Sequence, residues 1–318
     1  MSNADPKIAA ARISIAMATA LATLKLITGL LTGSMAVLSS AIDSLLDILM
    51  SGVNFMAIRQ AVQPADKCHP FGHGKYETLA TIIQSLVIAF SGCWIIFESG
   101  RRLYQGVELA RINQGIIVLV ISAIASWWVS RFLRRAAKKT DSSALEADSL
   151  HFSMDVYTNS ALVLGLVVIS FVDIPWLDPV LSILVALYIL FEAVRLVRHG
   201  LRDVLDEELP EPIRQEITGL IDAHSKILID YHNLRTRRAG SQKIIDFHLT
   251  VCKHLSVEQA HAIADHLEKR IQSDIPGSDV TIHIDPCLKA NCPGLEACPE
   301  DKTRLEEHLL EENAPQKK

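Results

Sequence analysis

The chain has 318 residues, a formal net charge of -5, 49% hydrophobic and 21% charged residues, and a mean hydropathy of +0.25. A slightly acidic chain with no basic cluster outside short loops argues against nucleic acid as a partner. Its six cysteines, at 68, 93, 252, 287, 292 and 298, are scattered and do not form a secreted disulfide framework.

Such averages also fit a soluble domain, so the distribution of charge decides the class. Nearly all the charge lies in the first dozen residues, in short loops and after about Arg195. Between these lie about six apolar runs long enough to cross a bilayer. The opening Met1 to Lys7 has no basic n-region followed by a cleavage site, so no removable signal peptide is expected. The first run, about Ile13 to Leu31, ends at the turn Thr32-Gly33-Ser34. It carries Lys25, which is expected to snorkel or to pair with a polar group in the bundle.

The second run, about Met35 to Ile58, contains Ser40, Asp43, Asp47, Ser51 and Asn54 at steps of three or four residues. On a helix these make one polar stripe. Intramembrane carboxylates are expensive, and like charges at i and i+4 repel, so Asp43 and Asp47 need protons or a cation. A buried seam that glues helices together accounts for Ser40 and Ser51 but not for two aspartates.

The loop that follows, Asp66 to Lys75, places Asp66, His69 and His73 at spacings of three and four. They read as a second divalent site or as a solvated turn near the headgroups. The third run covers about Leu79 to Phe97. The fourth covers about Ile112 to Phe132, with Trp127 and Trp128 at an interfacial position.

The fifth run, about Ser149 to Phe171, repeats the pattern of the second, with His151, Asp155 and Asn159 on one helical face. Bringing both stripes together gives three carboxylates and one imidazole, a donor set that suits tetrahedral Zn(II) and disfavours Mg or Ca. Crowded carboxylates also hold protons, which an arriving metal displaces, so exchange of a divalent metal for protons follows. Three ligands and a water would do hydrolysis, but four protein ligands close the site. The sixth run covers about Leu177 to Val197. Loop lysines and arginines, with one dissenting loop at Arg101, Arg102 and Arg111, place both termini in the cytoplasm.

Past the sixth run, Asp203 to Pro212 is an acidic linker in which Pro210 and Pro212 interrupt any helix and suggest a hinge. The soluble part, 201–286 after a bundle over 13–200, is expected as helix 213–224, strand 231–238, strand 243–252, helix 257–272 and strand 279–284. Ser256 and Gln259 form a capping box. The alternation Ile245, Phe247, Leu249, Val251 gives one apolar strand face, and a small sheet with one covered face invites dimerisation. Histidines are numerous in this part, His232, His248, His261 and His283, with Asp285 pointing the same way as His283 on a strand; they read as solvated surface side chains or as metal ligands. The tail 287–318 carries Cys287, Cys292 and Cys298, read as reduced thiols rather than a metal-capturing arm, and a helix at 303–312.

Gln63-Pro64-Ala65 through Lys75, taken with Asp43, Asp47, His151 and Asp155, gives the chain a specific resemblance. It resembles the cation diffusion facilitators, and among them bacterial zinc transporters of the ferrous-iron/zinc efflux type, from the first run to about Pro286. The resemblance implies a membrane all-α six-helix transmembrane bundle followed by a cytoplasmic α+β domain of αββαβ order, metallochaperone-like. It implies a homodimer in the inner (plasma) membrane that moves Zn(II) out in exchange for protons by alternating access, and no enzyme. Asp43, Asp47, His151 and Asp155 would form the transport site, and Asp66, His69 and His73 the loop site. His232, His248, His261, His283 and Asp285 would form a binuclear cytoplasmic site bridged at His261. Lys75, Asp206 and Arg237 would form a charge interlock. Members with this transport set carry Zn or Cd, and some Fe(II) or Co(II). A membrane metal sensor and a membrane metallohydrolase are the other readings.

Overall fold

The computed structural model describes residues 6–32, 35–105, 116–171, 176–225 and 227–289, and for some helical positions, Asp43 among them, the backbone alone. The helix expected at 303–312 and the thiols of Cys292 and Cys298 lie outside the described residues. The chain divides into two compact units, Met1–Val204 and Leu205–Lys318.

The first unit is helical: α1 (Pro6–Thr32), α2 (Met35–Ala61), α3 (Lys75–Gln105), α4 (Ile116–Thr140), α5 (Ser143–Phe171) and α6 (Leu177–Val204). Most of these helices outrun the apolar runs, because helix continues into charged turns such as Arg134 to Lys139 where hydropathy has already fallen. Among the described residues, segments Pro6–Leu31, Lys75–Gln105 and Pro179–Val204 are long and apolar enough to cross a membrane. α2 and α5 carry the acidic stripes and α4 ends in a basic run.

Helices pair as α1 with α2, α3 with α6 and α4 with α5. The α3–α6 approach is close because glycine allows it. A Cβ on Gly200 would sit 2.5 Å from Ile82 Cγ1, and one on Gly92 would sit 3.0 Å from Leu190 Cγ. Ala10, Ala11, Ala18, Ile58, Leu133 and Phe152 form a buried core where α1, α2, α4 and α5 meet. Lys25 is buried and donates to Ser44 Oγ at 2.9 Å, the pairing its position requires. One face of α3 is bonded to its neighbours through polar groups. Lys7 Nζ lies 2.7 Å from Glu77 Oε1, and Thr81 donates to Ser143 Oγ at 3.0 Å.

The second unit runs α7 (Glu211–Ala223), β1 (Asp230–Ala239), β2 (Gln242–Val251), α8 (Val257–Asp274) and β3 (Ser278–Pro286). This is the αββαβ order, with sheet order β1-β2-β3. β1 and β2 pair antiparallel across the tight turn at Gly240, whose φ of 64° suits glycine. β2 and β3 pair in parallel, which needs the α8 crossover. Ile245, Phe247, Leu249 and Val251 point into a core with Ile217, Ile221, Ile263 and Leu267. Ser256 caps α8 in a complete capping box with Gln259. The two prolines act differently from the sequence reading: Pro210 is the N-cap of α7 and Pro212 lies in its first turn, where the missing N–H costs nothing. They start a helix there. The linker is also anchored, since Leu209 is buried and its N–H reaches Thr236 Oγ1 at 3.1 Å.

Candidate metal centres

The first pair comes from α2 and α5. His151 Nε2 lies 2.8 Å from Asp47 Oδ1, and the two side chains are 12% and 14% exposed. Asp155 stands one turn further along α5, half-buried and within electrostatic reach of His151. The side chain of Asp43 lies outside the described residues. Two helices thus deliver a carboxylate and an imidazole to one point, while among the described residues three donors within 4.8 Å occur only at the two clusters that follow.

The α2–α3 loop folds Asp66, His69 and His73 into the first of them. Asp66 Oδ1 accepts from the backbone N–H of Cys68 at 2.8 Å and of His69 at 2.6 Å, which winds the loop around its carboxylate. The His69 N–H is the main reason this exposed carboxyl sits below its ordinary range. Gly72, at φ 79°, turns the chain back so that His73 faces Asp66. His73 is buried and donates from Nδ1 to the Pro64 carbonyl at 3.2 Å. In the neutral ring this leaves the Nε2 lone pair 3.4 Å from Asp66 Oδ2. Either a proton on Nε2 or a bound cation would join the two, and a carbonyl behind the ring is the usual support for a metal-bound histidine. Cys68 is exposed and free, and is not in the group.

The second cluster lies on the sheet face opposite the apolar core. Register sets His232 across from His248 and His248 across from His283. This row of imidazoles spans all three strands, with ring centroids 5.1 Å and 4.7 Å apart. A bulge after His232, with Asn233 at φ 52°, interrupts the β1 ladder beside the cluster. Asp285 is the hub: its Oδ2 lies 2.8 Å from His248 Nδ1 and 3.4 Å from His232 Nε2, and its Oδ1 lies 3.5 Å from His283 Nε2. The His248 hydrogen bond, then the surrounding imidazole charge, hold the Asp285 carboxyl below its ordinary value. His232, His248 and Asp285 have donors within 4.8 Å of one another. His283 stands beside them, more exposed. His261 is exposed on α8 and is not brought into the group, so a bridging ligand from this position is not seen.

Of the expected interlock, Arg237 Nη1 lies 3.4 Å from Asp206 Oδ1 within the C-terminal unit, while Lys75 belongs to the other unit.

The sequence reading missed Asp148, one helical turn before His151 on α5. It is 1% exposed, accepts from Ser14 Oγ at Oδ2, and lies 3.4 Å from both Ser51 Oγ and Gln84 Nε2 at Oδ1. Its spacing of three from His151 and seven from Asp155 put it on the same stripe and was the available signal.

Comparison with known proteins identifies the family of the chain. Residues 11–205 match the family model for the cation efflux transmembrane domain, and residues 209–287 that for the cation efflux protein cytoplasmic domain. The cation-efflux pump FieF of Shewanella oneidensis is 38% identical over 87% of this chain and 93% of its own length. FieF of Salmonella paratyphi A is 37% identical over 87% and 92%. A solved chain of CzrB in its zinc form is 36% identical, covering 26% of this chain and 92% of that one, with a TM-score of 0.25. Family models over both units, and relatives aligned along most of their length, place this chain in the cation efflux, or cation diffusion facilitator, family of membrane transporters.

Proposed function

We propose that the chain exports Zn(II) from the cytoplasm in exchange for protons by alternating access. The observation that carries this reading is the Asp47–His151 contact, a carboxylate and an imidazole from two different helices meeting at 2.8 Å inside the bundle. Asp43 and Asp155 complete a four-donor O/N set that suits tetrahedral Zn(II). Cd(II), Fe(II) and Co(II) are the competing substrates. Metal binding needs deprotonated ligands and therefore releases protons, so the same residues couple the two fluxes. The six helices of the first unit all span the bilayer, with both termini cytoplasmic in the inner membrane.

The loop cluster Asp66, His69 and His73 and the sheet cluster His232, His248, His283 and Asp285 take further zinc ions, with His261 joining when metal binds. The loaded sheet site then favours the homodimer of cytoplasmic domains. Proteoliposomes loaded with a zinc dye and a pH dye test the transport reading. The wild-type chain moves zinc and protons in opposite directions, and Asp47→Ala or His151→Ala abolishes both fluxes while the protein still inserts. Undiminished flux in Asp47→Ala, with all response lost on removing residues 203–318, supports the metal-sensor reading instead.

A further inference from the structure

We infer that Asp148 is a positioning residue for the transport site: it fixes the register of α5 against α2, and so holds His151 opposite Asp47. This inference rests on the transport reading of the Asp47–His151 pair.

α2 and α5 meet as an antiparallel ladder with three rungs. The first is Asp47 with His151 at 2.8 Å. One turn along, Ser51 Oγ lies 3.4 Å from Asp148 Oδ1. A further turn along, Asn54 Nδ2 reaches the Ala144 carbonyl at 3.3 Å. Stepping up α2 by four and three residues matches stepping down α5 by three and four, so the lower rungs dictate which residues face each other at the top.

Apolar faces of membrane helices contribute little to such a choice, because lipid tails and leucine side chains are equivalent neighbours. Small polar groups that bond across helices do specify it. The tolerance is narrow, since a slip of one residue shifts a helix by about 1.5 Å, whereas metal–ligand distances hold within about 0.2 Å.

Two features single out Asp148 within the ladder. It is buried to 1% exposure and gathers groups from three other helices, with Ser14 of α1 at Oδ2, and Ser51 of α2 and Gln84 of α3 at Oδ1. Asn54 in turn donates to Gln84 Oε1, which closes the network between the two lower rungs. No lysine or arginine pairs with Asp148 among the described residues, so the carboxyl group is held by neutral donors whose positions are fixed by helix packing. The second feature is His151 itself. Its Nδ1 is buried with no hydrogen-bond partner among the described residues. A metal-binding histidine is ordinarily oriented by a bond at its second nitrogen. Here that support is replaced by the seat of the helix one turn away.

The experiment is zinc flux into proteoliposomes by the full chain, with KM and maximal rate measured separately for wild type, Asp148→Ala, Asp148→Asn and Ser51→Ala. Asp148→Ala is expected to raise KM for zinc about 10- to 100-fold, the range seen when support around metal ligands is removed, with a maximal rate within about threefold of wild type. Asp148→Asn, whose carbonyl still accepts, recovers most of the affinity. A general folding defect would lower the amount of working protein, so a reduced maximal rate with unchanged KM overturns the inference, as does wild-type behaviour in both parameters. If Asp148→Ala does not insert, Ser51→Ala decides: a several-fold rise in KM supports the role and an unchanged KM refutes it. Should the wild-type chain move no metal, the transport reading fails on its own account. Equilibrium zinc binding in micelles then decides the positioning role: about tenfold weakening of one site in Asp148→Ala sustains it, and unaltered binding rejects it.

Discussion

Lys7 and Glu77 join the start of α1 to the start of α3, and the pair makes a sharp test of how this bundle is held together. Nζ and Oε1 are 2.7 Å apart, and the side chains are 10% and 1% exposed. Glu77 Oε2 has no hydrogen-bond partner among the described residues, so removal of the ammonium strands a carboxylate in the packed interior. Breaking a buried pair on one side costs about 3–5 kcal/mol, against about 0.2–1 kcal/mol for an exposed pair. Lys7→Ala is therefore expected to lower stability by about 3–5 kcal/mol, more than a hundredfold in the folded ratio. Replacing both residues with methionine removes the stranded charge and is expected to cost far less than the two single changes added together. The assay is reversible unfolding in mixed micelles of wild type, both single variants and the double variant. A Lys7→Ala cost below about 1 kcal/mol, or additive singles, would show that water reaches Glu77 and that the pair behaves as a surface bridge.

Three further outcomes are expected. His73→Ala removes both the imidazole and its bond to Pro64, and native mass spectrometry is expected to show one zinc fewer per chain while the sheet cluster stays loaded. In the metal-free protein, the His248 bond holds Asp285 below its ordinary value of 3.8. A lowered folded value means that its contribution is present above the unfolded value and is lost as pH falls through the folded one. Hydrogen exchange of β3 should therefore accelerate below about pH 3.8 in wild type, and Asp285→Asn should flatten that dependence. Phe247 is 1% exposed in the core of the second unit, and Phe247→Ala is expected to cost that unit about 3–5 kcal/mol, read from exchange of the β2 amides while α1 to α6 remain protected.

The elements that declared themselves in the sequence were those with one dominant period. β2 alternates cleanly because one of its faces is core, and α8 announces its start through Ser256 and Gln259. The sixth helix was placed to within a turn at its start by Pro175-Trp176. The helix ends were legible only where the apolar run and the helix stop together, which fails at Arg134–Lys139 and at the start of α5. Pro210 and Pro212 were ambiguous because proline ends a helix from within but favours one at its first turn. Asp66, His69 and His73 could be read as a cluster from spacing alone, since a short loop brings neighbours together. Nothing local could place His232, His248 and Asp285 at one point, because their meeting depends on strand register. Asp148 does not stand out in the sequence because the apolar run begins at about Ser149, which leaves the residue on the far side of the apolar boundary.

The sheet cluster takes its donors from β1, β2 and β3, the first and last of which lie 53 residues apart in the chain (285 − 232). No fragment of the nascent chain can assemble that set before the crossover helix has delivered the third strand. A divalent ion encountered during synthesis would therefore meet only scattered side chains, and any capture by this set would wait for the finished domain. An ion held there favours the completed form over every partly made one, so metal supply would also govern how long this half of the molecule survives proteolysis.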